Sequence, residues 1–298
     1  MKIGITGGTG FIGQCLIKNW SEKHQFTVLC IEDEFDSFYS DSNVEYCHSE
    51  FSVEEMQEAF SGCDGIVNLG GVLSTPDRET GLLRYDVNIE IAEKVFMAAE
   101  KLGIKNVVNI SSRTVYNHSI DGPYQENDLP QPLNLYAVAK LAVENISAIY
   151  NRKCGMRIKN LRFAQVFGPG GRNGYMMEVF KNNALSKETL TVIGNQGKEL
   201  LYVKDAARAI ICALEKDTVS GIFNIGTGVF ILNSEIAEAF CKNCGNEGNI
   251  IHEPVKNEVT VRSYMDVSKA KKELGFGTQY DLESAIADMI REENREHR

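Results

Sequence analysis

The chain has 298 residues, of which 43% are hydrophobic and 24% charged, a balance typical of a globular protein that buries a substantial core. Its net charge of −10 argues against electrostatic binding to nucleic acid or to an anionic membrane surface. No stretch approaches the roughly 20 apolar residues of a membrane span and residues 1–13 lack a signal-peptide pattern, so we expect a soluble, cytoplasmic protein.

Short apolar runs alternate with segments of helical period over the first half of the chain. The predicted strands are Lys2–Thr6, Thr27–Ile31, Gly65–Leu69, Asn106–Ile110 and Ile158–Phe163. The predicted helices are Phe11–Ser21, Val53–Phe60, Leu82–Leu102 and Leu135–Asn151. This alternation predicts the α/β class with a Rossmann-type, doubly wound parallel sheet, which binds ligands beyond the carboxyl ends of its strands.

The composition changes after Phe167, because residues 168–174 form a glycine-rich loop. Shorter predicted elements follow at Leu190–Ile193, Glu199–Val203, Gly221–Ile225, Ser234–Asn243 and Ser268–Glu273. We expect residues 1–168 to form the doubly wound domain. Residues 169–298 are expected to form mainly a smaller, substrate-binding lobe over the carboxyl edge of the sheet, with some segments returning to the first domain.

The first predicted strand ends in a glycine-rich turn, Thr6-Gly7-Gly8-Thr9-Gly10-Phe11-Ile12-Gly13. In this spacing Gly7 permits a tight turn, Gly10 lets the backbone approach a pyrophosphate, and Gly13 lets the next helix pack closely on the sheet. The strand before the turn and the apolar helix after it favour a dinucleotide site over a turn without a ligand. The predicted contacts are Gly7, Thr9, Gly10, Phe11, Ile12 and Gly13.

An acidic residue follows the second predicted strand. Glu32 lies 19 residues after Gly13, where a carboxylate can accept hydrogen bonds from adenosine ribose hydroxyls. The same carboxylate would repel a 2′-phosphate, so Glu32 predicts NAD rather than NADP as the cofactor. The third strand ends in Leu69, Gly70 and Gly71, where small residues would let the cofactor lie against the strand end. Structural turn glycines are the alternative at these positions.

Tyr136 and Lys140 are four residues apart in a predicted helix, so they share one of its faces. A free phenol has a pKa of about 10, and a neighbouring ammonium would stabilise the phenolate and lower that pKa. Ser112 ends a predicted strand at the ligand-binding edge, where its hydroxyl could reach the same substrate oxygen. Together the three residues predict a catalytic set for proton transfer, although the Tyr-x-x-x-Lys spacing alone is common on surface helices.

The eight cysteines lie mostly in apolar runs, so we expect reduced, buried thiols. Cys241 and Cys244 have the spacing of a metal or redox pair. The sequence offers no second pair of ligands at suitable spacing, so we predict no metal site.

These motifs resemble those of the extended short-chain dehydrogenase/reductases, the NAD-dependent epimerase/dehydratase group, over nearly the whole chain. The family signature TGGTGFIG stands unaltered at Thr6–Gly13, and the Ser-Ser-x-x-Val-Tyr pattern stands at Ser111–Tyr116. The resemblance implies that Ser112, Tyr136 and Lys140 are the catalytic residues and that Tyr136 and Lys140 also contact NAD.

The resemblance implies further contacts outside these motifs. Glu50 and Phe51 fit the position that contacts the adenine, and Arg262 stands where nucleotide-sugar members bind the substrate diphosphate. The implied substrate contacts are Asn88, Arg113, Gln165, Lys198 and Arg262. Two of these, Gln165 and Lys198, depart from the residues that are usual in the family, which leaves the identity of the substrate open.

The 4,6-dehydratases of this family carry Asp-Glu directly after the catalytic hydroxyl residue, whereas this chain has Arg113-Thr114, which disfavours dehydration. The resemblance therefore implies NAD-dependent epimerisation of a nucleotide-diphosphate sugar through a transient keto intermediate. One alternative is an NAD-dependent dehydrogenase or reductase of a sugar or another small alcohol. A second alternative is a non-catalytic NAD-binding protein on the same fold.

Family members pair through the Tyr-x-x-x-Lys helix and its neighbour, so the resemblance implies a homodimer. The corresponding helices here are Leu135–Asn151 and Leu82–Leu102. The candidate apolar contacts are Val95, Ala98, Ala99, Leu141 and Ile149, although burial in the core of one chain explains these residues equally well.

Overall fold

The computed structural model describes residues 1–73 and 81–296. Strands and helices alternate in the first half, as the sequence predicts. In chain order they are β1 (Lys2–Thr6), α1 (Phe11–Trp20), β2 (Gln25–Cys30), β3 (Val44–His48), α2 (Val53–Ala59), β4 (Gly65–Asn68), α3 (Asp86–Leu102), β5 (Asn106–Ser112), α4 (Leu135–Cys154) and β6 (Arg157–Phe163). A 3₁₀ turn at Leu82–Tyr85 precedes α3, and a second one at Arg113–Val115 follows β5.

The second half contains shorter elements. They are β7 (Gln165–Phe167), α5 (Met176–Leu185), β8 (Leu190–Ile193), β9 (Gly197–Lys198), β10 (Leu200–Tyr202), α6 (Val203–Glu215), β11 (Gly221–Ile225), β12 (Ile231–Leu232), α7 (Asn233–Cys244), β13 (Ile250–Glu253) and α8 (Leu282–Glu296). A π-helical turn at Ala270–Leu274 lies between β13 and α8. Within residues 1–73 and 81–296, no helix has the length and apolar character needed to cross a membrane.

Seven parallel strands form the central sheet in the order β11-β6-β5-β4-β1-β2-β3. Helices α1 and α6 pack on one face, and α2, α3 and α4 pack on the other. The predicted Rossmann-type, doubly wound parallel sheet is therefore confirmed. The carboxyl ends of β1, β4 and β5 meet at one edge, which places the glycine-rich turn and Ser112 on the same side of the sheet.

The second half contributes both to the sheet and to a smaller lobe. Strand β11 pairs in parallel with β6, and α6 packs against the sheet, so two segments return to the first domain. Most other elements of the second half surround a separate apolar cluster that includes Phe180, Phe240 and Met289. Substrate binding by this lobe stays a prediction.

The sequence interpretation misses the strands β3, β7, β9, β12 and β13 and the helices α5, α6 and α8. Strand β3 is the edge strand of the sheet and is only partly covered, so it lacks a continuous apolar run. Helix α6 buries Val203, Ile210, Ile211 and Leu214 together with several alanines, so its helical periodicity is present in the sequence and was overlooked. The predicted element Glu199–Val203 is also wrong in extent, because β10 ends at Tyr202 and Val203 already begins α6.

A ladder of polar side chains crosses the middle of the sheet. Thr6 Oγ1 donates to Asn68 Oδ1 at 2.7 Å, and Asn68 Nδ2 donates to Asn109 Oδ1 at 2.8 Å. Asn109 Nδ2 donates in turn to Asn160 Oδ1 at 2.8 Å, and Asn160 Nδ2 donates to Ser147 Oγ at 2.6 Å. The first four residues are buried register partners on adjacent strands, whereas Ser147 lies on α4. An unbroken series of hydrogen bonds therefore connects β1 to α4.

Replacement of Asn109 by alanine tests the contribution of this ladder. The change leaves an amide N–H of Asn68 and the amide oxygen of Asn160 buried without partners, so we expect the free energy of unfolding to fall by about 2–4 kcal/mol. Urea titration followed by circular dichroism measures the change. Asn145→Ala removes an exposed amide from α4 and should cost less than about 0.5 kcal/mol. Equal losses of unfolding free energy in the two variants would show that the buried ladder stabilises the fold no more than an exposed amide does.

Candidate active site

The glycine-rich turn joins β1 to α1 at the carboxyl edge of the sheet. Gly7 has a φ of +70°, and a Cβ at this position would lie 2.7 Å from the Gly70 nitrogen. A Cβ at Gly13 would lie 2.6 Å from the Cα of Gly8, so α1 passes close to the turn. Gly10 precedes α1 without a side-chain cap, and the first turn of α1 has no acidic residue. The turn therefore offers free backbone N–H groups to a phosphate.

Glu32 lies beside this turn, just beyond β2, and is half-buried. Thr9 Oγ1 lies 3.3 Å from each oxygen of the Glu32 carboxylate and donates to it. Phe11 and Ile12 form the first turn of α1. A bare, glycine-lined turn next to a single carboxylate fits NAD, because the N–H groups would hold the diphosphate and Glu32 would accept from the ribose hydroxyls.

The segment after β4 closes the other side of the turn. A Cβ at Gly7 would meet the backbone of both Leu69 and Gly70, so these residues line the predicted cofactor site. Asn88, which is buried on α3, accepts from the Val72 N–H at 2.6 Å and donates to the Val72 carbonyl at 3.0 Å. Asn88 therefore supports the segment after β4, and its expected contact with a substrate stays a prediction.

The backbone conformation at position 71 requires glycine. The surroundings of Glu50 and Phe51 do not show whether they contact an adenine. Gly71 has a φ of +137°, and a Cβ there would lie 2.5 Å from Asn88 Oδ1. Glu50, after β3, has an exposed carboxylate 3.8 Å from His48 Nε2. Phe51 has a φ of +58° and packs against the apolar cluster that α2 and α3 share. Contacts of Glu50 and Phe51 with an adenine ring stay a prediction.

Tyr136 and Lys140 lie in the first two turns of α4. Asn134 begins this helix, because its side-chain oxygen accepts from the Ala137 N–H at 2.8 Å. Lys140 Nζ lies 5.7 Å from the centre of the Tyr136 ring and donates to the Ile110 carbonyl at 2.8 Å. The structure therefore places the lysine beside the tyrosine and anchors it to β5.

Ser112, at the end of β5, forms a hydrogen bond with the Tyr136 side chain. Its Oγ also accepts from the Thr114 N–H at 3.2 Å and from Thr114 Oγ1 at 2.8 Å. Because Thr114 supplies two donors, the hydroxyl proton of Ser112 is directed toward Tyr136. Thr114 is a positioning residue that the sequence interpretation missed. The buried ring of Tyr85, 5.9 Å from that of Tyr136, is another missed neighbour.

The protonation of the catalytic pair is set mainly by burial. Burial raises the pKa of Tyr136 to about 12, and the hydrogen bond with Ser112 opposes this rise. Burial lowers the pKa of Lys140 to about 8, and the nearby Glu144 opposes that change. In the protein alone, loss of solvation therefore has the largest effect on the Tyr136 pKa, and the lowering expected from Lys140 and the oxidised nicotinamide together stays a prediction.

A buried ion pair holds α4 against the sheet. Glu144, one turn after Lys140, accepts from Arg162 Nε at 2.9 Å and from Arg162 Nη2 at 2.6 Å. Ser111 Oγ donates to the same carboxylate at 2.6 Å, and the Arg162 guanidinium stacks 4.6 Å from the centre of the Tyr116 ring. Removal of either charged partner would leave the other buried and uncompensated, so this pair strongly favours one position of α4.

Arg113 connects the end of β5 to the segment that carries Arg262. Its Nη1 donates to Ser263 Oγ at 2.9 Å, and Ser263 follows Arg262 in the chain. Arg262 is exposed, and its backbone N–H donates to Asp121 at 2.6 Å. Lys198 is half-buried, and burial and then the Arg113 charge lower its pKa. Contacts of Arg113, Lys198 and Arg262 with a substrate stay a prediction.

Glu199 organises this region, although the sequence interpretation assigns it no role. Its side chain is buried, with Oε1 accepting from the Gly228 N–H at 2.8 Å and Oε2 from the Met265 N–H at 2.9 Å. Burial raises the pKa of Glu199 to about 7, and these hydrogen bonds and the Arg113 charge oppose the rise. The predicted contact Gln165 is tied to the same residue, because its backbone N–H donates to the Glu199 carbonyl at 3.3 Å.

The glycine-lined turn, Glu32 and the grouped Ser112, Tyr136 and Lys140 define an enzyme that uses a dinucleotide to act on a substrate hydroxyl. The family model of the NAD dependent epimerase/dehydratase family matches residues 3–226. The chain therefore belongs to this family, and its cofactor is NAD.

Known proteins resemble the chain over its whole length. The crystal structure of UDP-N-acetylglucosamine 4-epimerase from Bacillus cereus is 33% identical, covers 99% of this chain and 96% of its own, and gives a TM-score of 0.87. A putative UDP-glucose 4-epimerase from Methanocaldococcus jannaschii is 25% identical over 96% of each chain. The dTDP-glucose 4,6-dehydratase of Streptomyces niveus is also 25% identical, over 97% of this chain and 92% of its own. Because relatives of similar identity catalyse different reactions, similarity alone does not define the reaction of this chain.

Glu32→Gln tests the selection of NAD. Loss of the carboxylate removes the repulsion of a 2′-phosphate, so the ratio of the NAD and NADP dissociation constants should move toward NADP by about tenfold or more. Isothermal titration of both dinucleotides measures this ratio. Glu34→Gln, at an exposed neighbouring acid, is the control. An unchanged ratio in Glu32→Gln would exclude a role for Glu32 in cofactor choice.

Glu199→Gln tests the buried carboxylate. The folded state raises the pKa of Glu199 from 4.5 to about 7, so its proton stabilises the fold fully below about 4.5 and this contribution is lost as the pH rises through 7. Glutamine cannot titrate, so the unfolding free energy of the variant relative to the native protein should increase by about 2 kcal/mol between pH 5 and pH 8. Urea titrations at both pH values measure the difference, with Glu247→Gln as the exposed control. A difference independent of pH would contradict this account.

Proposed function

We propose that the protein epimerises a nucleotide-diphosphate sugar through transient oxidation to a keto sugar. The observation that carries the proposal is the hydrogen-bonded pair of Ser112 and Tyr136, followed by Arg113 and Thr114. This arrangement provides one group that transfers a proton at a sugar hydroxyl. It provides no carboxylate pair directly after the serine, which the elimination of water would require. The relatives named as UDP-sugar 4-epimerases support the same reaction and substrate class.

In the proposed reaction Tyr136, as the phenolate, removes the proton from a sugar hydroxyl while Ser112 holds the same oxygen. NAD, held by the glycine-rich turn and Glu32, would supply the reversible hydride transfer at the adjacent carbon, and its positively charged ring would favour the phenolate. Tyr136 then returns its proton to the sugar oxygen. No redox equivalent is consumed, and the sugar differs only in the configuration of one carbon.

Lys140 and Thr114 prepare the tyrosine and serine for this transfer. Lys140 is held 5.7 Å from the Tyr136 ring by the Ile110 carbonyl, so its charge acts from a fixed position. Thr114 directs the Ser112 proton toward the oxygen of Tyr136, where the substrate hydroxyl would also lie. Burial raises the pKa of Tyr136 to about 12 in the protein alone, so positive charge brought in by the cofactor would favour the phenolate.

We also propose a homodimer formed through α3 and α4, in a reducing cytoplasmic compartment. Val95, Ala98 and Ala99 are buried within their own chain, so they cannot supply the contacts considered from the sequence. The exposed large apolar residues on these helices are Val87, Met97, Val138 and Ile149, of which Ile149 is a contact considered from the sequence. Leu141 packs against the chain's own core. All eight cysteines are free, which agrees with a reducing compartment.

The reaction is tested by incubating the protein with NAD and UDP-N-acetylglucosamine or UDP-glucose. We expect a proton NMR spectrum to show the 4-epimer, without a lasting rise in absorbance at the reduced-nicotinamide band. Tyr136→Phe should lower kcat by about 10²- to 10⁴-fold, because the general base is lost. Tyr150→Phe, the same change farther along α4, should retain activity.

Two outcomes would contradict the proposal. Net formation of reduced NAD in proportion to oxidised product would instead show a dehydrogenase. Unchanged turnover in Tyr136→Phe would show that the tyrosine is not the base. Binding of NAD without conversion of any nucleotide sugar would favour the non-catalytic alternative.

A further inference from the structure

Tyr85 is a tyrosine whose hydroxyl is buried without a hydrogen bond. The residue ends the 3₁₀ turn Leu82–Tyr85 at the start of α3, and its side chain is completely buried. In the part of the chain that the structure describes, the hydroxyl oxygen has no hydrogen-bond partner. A buried polar group without a partner costs stability, and a phenylalanine ring would fill the same space without this cost. The hydroxyl therefore indicates a partner that is present in another state of the protein.

The catalytic tyrosine lies directly beside Tyr85. The ring centres of Tyr85 and Tyr136 are 5.9 Å apart and their planes are inclined by 69°, so the two rings meet edge to face. Burial is the main cause of the raised pKa of Tyr136, and a negative charge on Tyr85 would raise that pKa further. The two phenols are therefore close enough for the charge of one to act on the other.

The oxygen of Tyr136 changes its charge during the proposed reaction. When Tyr136 is a phenolate, this oxygen carries a negative charge in a desolvated position and needs hydrogen-bond donors. Ser112 forms one hydrogen bond with it. The Lys140 ammonium donates to the Ile110 carbonyl and lies 5.7 Å from the centre of the Tyr136 ring, so it acts mainly through its charge. A second hydroxyl donor beside the ring would therefore favour the phenolate.

We propose that Tyr85 is a positioning residue that acts through Tyr136, and that its hydroxyl donates a hydrogen bond to the Tyr136 oxygen when Tyr136 is a phenolate. This role rests on the function proposed above, in which that phenolate removes the substrate proton. Hydrogen bonds from a hydroxyl to an ionised oxygen are short and about twice as strong as those to a neutral one. The neutral oxygen of Tyr136 is a weaker acceptor, so the Tyr85 hydroxyl stays unpaired in the protein alone. Tyr85 keeps its own proton throughout.

Two variants separate the hydroxyl of Tyr85 from its ring. Tyr85→Phe removes only the hydroxyl and keeps the edge-to-face contact with Tyr136. Because that hydroxyl has no partner among the described residues, we expect Tyr85→Phe to unfold at the same urea concentration as the native protein or a higher one. Tyr85→Leu also removes the ring and leaves a cavity beside α4, so it should unfold at a lower concentration.

A spectroscopic titration of the NAD-loaded protein tests the proposal without requiring turnover. The ultraviolet absorbance of phenolate is followed from about pH 6 to about pH 10, and subtraction of the matching Tyr136→Phe protein isolates the titration of Tyr136. We expect the apparent pKa of Tyr136 to be about one unit higher in Tyr85→Phe than in the native protein, because one charge-assisted hydrogen bond is lost. Tyr150→Phe, at a tyrosine farther along α4, is the matched control and should leave this pKa unchanged.

The pH dependence of turnover gives a second measurement. In Tyr85→Phe, kcat at pH 7 should fall about tenfold and recover as the pH rises, while KM changes by less than about threefold. Tyr85→Leu should lose activity at every pH, because the ring that orients Tyr136 is also lost.

Three results would overturn the role of Tyr85. The first is an identical titration of Tyr136 in the native protein and Tyr85→Phe, including one in which Tyr136 stays protonated in both. The second is a loss of kcat in Tyr85→Phe that is the same at every pH, as a purely structural role predicts. The third is a rise in KM without a shift in the titration, which would assign the hydroxyl to the substrate. Failure to epimerise any sugar would refute the proposed function alone, since the spectroscopic titration does not depend on catalysis.

Discussion

The polar ladder from Thr6 to Ser147 is the constraint on which the arrangement of the site depends. Thr6 is the last residue of β1, directly before the glycine-rich turn, and Asn68 ends β4 directly before Leu69 and Gly70. The ladder continues through β5 and β6 into the helix that carries Tyr136 and Lys140. It therefore joins the phosphate end of the cofactor site to the catalytic end through buried hydrogen bonds. A shift in the register of any of these strands would leave several amide groups unpaired, so the spacing between the two ends is tightly specified.

Two buried carboxylates stabilise different parts of the structure. Glu144 and Arg162 neutralise each other beneath α4 and keep the helix in place. Glu199 accepts from two backbone N–H groups, at Gly228 and Met265, and so holds two loops together. The net charge of −10 argues against binding to polyanions, whereas a few cations suffice to bind a small anionic molecule.

The sequence predicted most of the central sheet, because its strands are short apolar runs and its helices have clear periodicity. It also located Ser112, Tyr136 and Lys140 together, because strand order brings the ends of β5 and α4 to one edge. The hydrogen bonds of Asn88 to Val72 were not predicted, since nothing local in the sequence shows them. The rise in the Tyr136 pKa in the protein alone was not predicted either, because burial depends on the whole fold. One sequence pattern was overlooked. Three asparagines, Asn68, Asn109 and Asn160, stand within predicted strands, where this residue is disfavoured.

Strand β11 lies in the second half of the chain and completes the central sheet that the first half forms. Residues 221–225 cover the edge of β6, which otherwise ends the sheet with a row of unpaired backbone groups flanked by apolar side chains. A fragment that stops after residue 168 would therefore expose the edge of β6, whose unpaired backbone groups can form hydrogen bonds with strands of other chains. During synthesis the central sheet therefore stays incomplete until residue 225 has left the ribosome.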